Sequence, residues 1–197
     1  MKKGLFLLPI LLLLTGCEML PFARELESTM LVQVLGVDWT QGEVVLTGAS
    51  DSGAGSTTGD ATVLSGSGAT LDEAKTALKG MGEEYVSLTH VAQLILGAET
   101  DLATVLSAAL EEPALGQSAT VWFSETETAQ VLMDGVGGGA KRLSSIELNG
   151  KVQPITVLQS MMQLKEHGWV ELPVLRNEGE TLVLAGTRLI WEAEDEE

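Results

Sequence analysis

The sequence predicts an α+β fold, a mixed β-sheet flanked by helices, and three observations predict it. Short runs rich in β-branched and aliphatic residues recur along the chain. Between them lie segments whose apolar residues repeat at helical spacing, some of them opened by a capping residue. The two kinds of segment interleave, which places helices against a sheet within one domain.

Met30 to Asp38 reads as the first strand. Thr40-Gln41-Gly42 supplies a turn, and Glu43 to Gly48 returns as the second strand of a hairpin. Ala49 to Asp60 consists almost wholly of Gly, Ser, Thr, Ala and Asp, a composition expected to form a mobile loop. Ala61 to Ser65 is a third strand. Tyr85 to Gly97 ends in an apolar run, roughly Val91 to Leu96, that suits a buried strand, and Ser118 to Ser124 is a further one. Val170 to Leu175 and Thr181 to Trp191 read as a closing pair around Arg176 to Glu180.

The helices announce themselves by their ends. Thr70 and Glu73 have the spacing of a capping box, and Leu71, Ala74, Ala77, Leu78 and Met81 follow at helical intervals. Thr100-Asp101 caps a second helix with Leu102, Val105, Leu106, Ala109 and Leu110 on one face, ended by Pro113. A short helix spans roughly Glu125 to Met133. Gly135 to Gly139 reads as a hinge. Pro154 in a first-turn position opens a third long helix, apolar at Ile155, Leu158, Met161, Met162 and Leu164, with Gly168 past its end.

Charge narrows the partners. The net charge is -17, from 28 acidic and 11 basic residues, so the chain cannot neutralise phosphates, and nucleic acid is excluded as a partner. The same balance excludes an electrostatic grip on anionic lipid. No catalytic, cofactor or metal constellation is legible, and an enzyme is not expected. His90 and His167 are the only histidines and stand in no zinc-binding spacing. Gly135 to Ala140 imitates a dinucleotide fingerprint but follows a helix-like segment instead of a strand. Glu83-Glu84 and Glu111-Glu112 read as solvated helix ends. Trp39 and Trp169 are the aromatic candidates for a partner surface, with a packed role the commoner one for each.

The N-terminus carries the one explicit chemical signal. Lys2 and Lys3 precede an apolar stretch from Leu5 to Leu14, and then come Thr15, Gly16 and the single cysteine, Cys17. This is a secretory signal of ten apolar-region residues, too short to span a bilayer, which takes about 20. Leu14-Thr15-Gly16-Cys17 resembles the lipobox of bacterial lipoproteins. That resemblance implies diacylglyceration of Cys17 and cleavage before it, with the lipid-modified residue, which bears fatty acyl groups such as palmitate, as the new N-terminus. Cleavage leaves 181 residues and moves the charge to about -19 by removing both lysines. With no basic patch to help, two acyl chains are what durable membrane attachment needs.

Beyond the lipobox, Arg24-Glu25-Leu26 leads into the strand end Gly36-Val37-Asp38, and the capped helix Gly68 to Ala74 follows. Then come Leu88 to Gly97, with its histidine and terminal glycine, and the pair Leu172 to Leu175 and Leu184 to Trp191. In this order the segments resemble the Ger(x)C family, the lipoprotein C subunits of nutrient germinant receptors in endospore-forming bacteria. The resemblance corresponds to the N-terminal domain of a full-length member. It implies sheets flanked by helices, no enzyme activity, no cofactor, and two integral-membrane germinant receptor subunits as partners. The place implied is the outer face of the cytoplasmic (spore inner) membrane. The expected organisation is a signal peptide over 1–16, a lipidated tether over 17–28, a single domain over 29–191 and an acidic tail over 192–197. A lipid-anchored solute-binding or other extracytoplasmic interaction module is the competing expectation.

Overall fold

Met30 to Asp38 is two strands, not one. Val32 N–H donates to the Ser87 carbonyl at 3.0 Å and Gln33 N–H to that of Ala49 at 2.9 Å, so the chain changes partners within two residues. It divides into β1 (Thr29–Leu31) and β2 (Val34–Thr40). The structure, a computed structural model, describes residues 29–40, 42–50, 62–81, 85–112, 115–134, 139–149, 152–179 and 181–191. The expected signal peptide and tether with Cys17, most of the Gly/Ser loop, residues 135–138 of the glycine run and the expected acidic tail lie outside them.

β1 runs parallel to β5 (Tyr85–Ser87), a strand too short to show in the sequence pattern. The main sheet has seven strands in the order β4-β3-β2-β6-β7-β8-β9. Its remaining members are β3 (Glu43–Ser50), β4 (Thr62–Gly68), β6 (Val91–Leu96), β7 (Leu115–Ser124), β8 (Trp169–Glu178) and β9 (Thr181–Trp191). Strands β2, β6, β7 and β8 are mutually parallel, with β3 and β4 antiparallel on one flank and β9 on the other. The parallel centre explains why β6 is apolar apart from Gln93 and buried on both faces from Gln93 to Leu96. Ala49 and Ser50, expected in the loop, instead extend β3 and are buried.

Three helices lie on one face: α1 (Leu71–Gly80), α2 (Leu102–Glu111) and, later in the chain, α5 (Val157–His167). Two lie on the other: α3 (Thr128–Asp134) and α4 (Gly139–Leu148). The result is one α+β domain with helices on both sides of a mixed sheet. On the first face Leu78, Leu106 and Leu164 are buried against Leu35, Leu94 and Leu172. Each such side chain contributes about 1.5–3 kcal/mol by leaving water. On the second face Leu143 and Val131 cover Ile95 and Trp122. The indole Nε1–H of Trp122 donates to Gln93 Oε1 at 2.6 Å, and Gln93 Nε2–H donates to Glu147 Oε2 at 3.2 Å. This pins α4 to the sheet centre through a buried polar relay.

Helix ends confirm some expectations and correct others. Thr70 is the N-cap of α1 and accepts from Glu73 N–H, but the Glu73 carboxylate reaches back to Ala69 N–H, one residue before the cap. Asp101 caps α2 as expected. The capping box in full is at α5, between Thr156 and Gln159. Pro154 therefore stands outside the helix, and Ile155 runs beside β7, where its carbonyl accepts from Val121 N–H at 2.8 Å. Leu158 and Met162 point to solvent; Val157, Ser160, Met161 and Leu164 form the buried stripe. Gly168 ends α5 at φ 73°, a left-handed cap. The hinge reading of Gly135 to Gly139 is corrected at its end: Gly139 is the first residue of α4. The helix expected from Glu125 starts at Thr128, and the reason lies in the site described next.

Candidate functional site

The first face of the sheet is buried, but the helices that cover it part above β2 and β6. α1 packs over β3 and β4, while α2 packs over β7 and against α5. Between them the apolar side chains of β2 and β6 form the floor of a cleft of about 590 Å³. Leu35, Val37 and Leu94 are that floor; half-buried Trp39, Leu71 and Ala108 are its walls. At about 24 cal/mol per Å³, a sealed dry void of this size would cost on the order of 14 kcal/mol, the whole stability of a domain. The space is therefore a solvent-entered cleft, within the size range of small-molecule pockets.

One lysine straps the mouth. Lys75 Nζ on α1 lies 2.7 Å from Glu112 Oε2, just past α2, and 2.8 Å from Asp72 Oδ1 on its own helix. Hydrogen bonds to Asp72 and then to Glu112 hold the ammonium above the usual lysine range, and the same lysine holds Asp72 below the usual carboxylate range. Glu111 adds a further carboxylate to the lining. The Asp72–Lys75 spacing is readable on a helix, but Glu112 stands 37 residues away and no local pattern connects it.

The second constellation is the strand end Gly36-Val37-Asp38. Asp38 is 7% exposed, and its carboxylate accepts from Thr128 N–H at 2.9 and 3.1 Å and from Thr128 Oγ1–H at 2.7 Å. It caps α3 from across the fold, which sets the start of that helix at Thr128. Burial pushes the Asp38 carboxyl up, with the Thr128 bonds opposing. Two glycines make room: a Cβ on Gly36 would run into Thr128 Oγ1, and one on Gly97 into Asp38 Oδ1. The cluster sits at the carboxyl ends of β2, β6 and β7, where open parallel sheets usually hold a ligand. Here a helix cap occupies that place. The recess left beside it is about 190 Å³, and Glu125 on its wall is answered by Arg176 and Arg188, each at 3.3 Å.

The residues singled out from sequence do not converge. His90 is exposed in a turn, its Nδ1 2.9 Å from Thr89 Oγ1. His167 ends α5 and stacks on Trp169, with ring centroids 5.3 Å apart. Trp169 is half-buried and faces the exposed Trp191. Trp39 alone joins a site, as a wall of the cleft. Of the glutamate pairs, Glu112 is engaged at the strap, while Glu83-Glu84 lies outside the described residues, as does Cys17. Among the described residues no group of three His, Cys, Asp or Glu could hold a metal ion, and no helix is long and apolar enough to cross a membrane.

The geometry defines a class: a three-layer α+β domain with an apolar cleft and a glycine-aspartate helix dock. A family model described as the spore germination protein N-terminal domain matches residues 23–176. The chain belongs to this family, the N-terminal domains of GerAC-type spore germination proteins. No curated protein and no solved structure matches it.

Proposed function

We propose that this chain is a membrane-tethered, non-enzymatic accessory subunit of a spore nutrient germinant receptor, acting through protein–protein contacts. The observation that carries the reading is the family match over residues 23–176. Cys17, modified with diacylglycerol, anchors the domain to the outer face of the spore inner membrane, beside integral-membrane receptor subunits. The sequence Leu14-Thr15-Gly16-Cys17 supports the anchor, and the large negative charge leaves acyl chains as the means of attachment.

Two experiments test it. Tagged protein crosslinked in spore membranes is expected to bring down multi-pass receptor subunits, and deletion of the gene to slow nutrient-triggered germination. Unchanged germination together with no co-purifying membrane protein would overturn the reading. Separately, Cys17→Ala is expected to abolish incorporation of labelled palmitate and to shift the protein out of the diacylated membrane fraction. Retention of label in that variant would sink the anchor assignment.

A further inference from the structure

We infer that the domain stands on the bilayer with the amino-terminal ends of its parallel strands toward the lipid. The exposed side chains Met81, Tyr85 and Trp191 at that end enter the headgroup layer. This rests on the Cys17 anchor proposed above and gives that anchor an orientation.

The strand register gathers these residues at one end of the fold. Trp169 opens β8 and pairs with Trp191, the last residue of the antiparallel β9. Thr29, where the tether enters the fold, opens β1 and pairs with Tyr85. Gly68, at the far end of β4, lies against Glu73, and Gly66 lies against Leu78. α1 therefore descends along β4 and ends with Met81 on the side where β4 begins, which is the side where β2 begins. Trp39 stands near the opposite end of β2, beside Asp38, Glu99, Glu125 and Glu127.

Reach and chemistry both choose the bilayer as the occupant. The tether over 18–28 has 11 residues, which span roughly 20 Å as a flexible coil and at most about 40 Å fully extended. The 11 residues of β9 alone rise about 35 Å, so the tether holds its own end of the fold near the lipid and leaves the other end out. Trp191 is 65% exposed, unusual for a tryptophan. Tryptophan and tyrosine combine an apolar ring with a polar tip, which suits them to the headgroup layer. The contact is apolar, not electrostatic: Glu83-Glu84 precede Tyr85 in the chain and Glu192 to Glu197 follow Trp191. Zwitterionic lipid is accordingly a better support than anionic lipid.

The test places the full lipidated chain in phosphatidylcholine vesicles that contain a doxyl lipid with its quencher just below the headgroups. Tryptophan emission is expected to be quenched. Trp191→Phe should lose most of that quenching, Trp39→Phe should keep it, and admixture of phosphatidylglycerol should weaken it. A second measurement uses a spin label on Met81→Cys or on Glu99→Cys, at opposite ends of the fold. The first label should relax more with oxygen than with a water-soluble nickel chelate, and the second the reverse. Flotation with the vesicles separates the two readings. A chain that does not float removes the anchor and this orientation with it. A chain that floats with Trp191 unquenched, with the quenching lost in Trp39→Phe, or with both labels equally open to the nickel chelate overturns the orientation and leaves the anchor standing.

Discussion

Gly36 and Gly97 show how single missing atoms hold a helix in place. Each leaves room for one polar group, Thr128 Oγ1 or Asp38 Oδ1, that a methyl would displace. Gly97→Ala and Gly36→Ala are each expected to destabilise the domain by about 1–3 kcal/mol, the usual cost of overpacking. A lower urea midpoint at unchanged m-value would register it. Asp38 gives a pH signature. Its carboxyl is raised from an ordinary value of 3.8 by burial, so its contribution to stability is full below that pH. It is lost as pH rises through the folded value. The stability of the unaltered chain minus that of Asp38→Asn should therefore fall as pH is raised from about 4 toward 7. Denaturation curves at several pH values measure it, and a gap that widens with pH would contradict the assignment. The glycine-aspartate pattern is visible in the sequence, but its purpose is not, because Thr128 lies 90 residues away.

Helix ends are set by different agents, and this decides which of them a sequence reveals. α1 and α2 carry their own caps, Thr70 and Asp101, and both are readable. α5 carries Thr156 and Gln159, a box whose signal is masked by the nearby Pro154, an equally plausible opening residue. Thr156→Ala should cost about 0.5–2 kcal/mol. Faster amide hydrogen exchange in the first turn of α5, with α1 unaffected, is the expected readout. α3 takes its cap from Asp38 on a distant strand, so no neighbouring residue marks its start. α4 opens on Gly139, a poor helix former, and is held by Gln93 and the apolar cover over Trp122.

Taken whole, the domain is a strongly acidic body around a parallel-centred sheet. Its self-repulsion opposes folding, and added salt should relieve it. Raising NaCl from about 0.02 M to about 0.5 M shortens the screening length from roughly 20 Å to roughly 4 Å. The melting temperature is expected to rise over that range; a fall would mean that attractive pairs such as Lys75–Glu112 and Arg176–Glu125 outweigh the net repulsion. The cleft also belongs to this level, since it exists only because α1 and α2 settle over different strands.

Local chemistry was sufficient for the fold class, for most strands and for two helix caps, because strand and helix periodicities and hydroxyl or carboxylate caps act over a few residues. It also marked the acidic character of the chain and the motif ending at Cys17. What it could not supply were contacts between residues far apart in the chain. The break at Val32 and Gln33 follows from competition between two sheets for one strand. The start of α3 follows from a carboxylate on β2, and the strap from a lysine on α1 and a glutamate just past the end of α2. The cleft is likewise a product of packing, and its floor residues read in sequence as ordinary core. Burial and long-range hydrogen bonds arise only when the chain is closed on itself, so these features become visible only there.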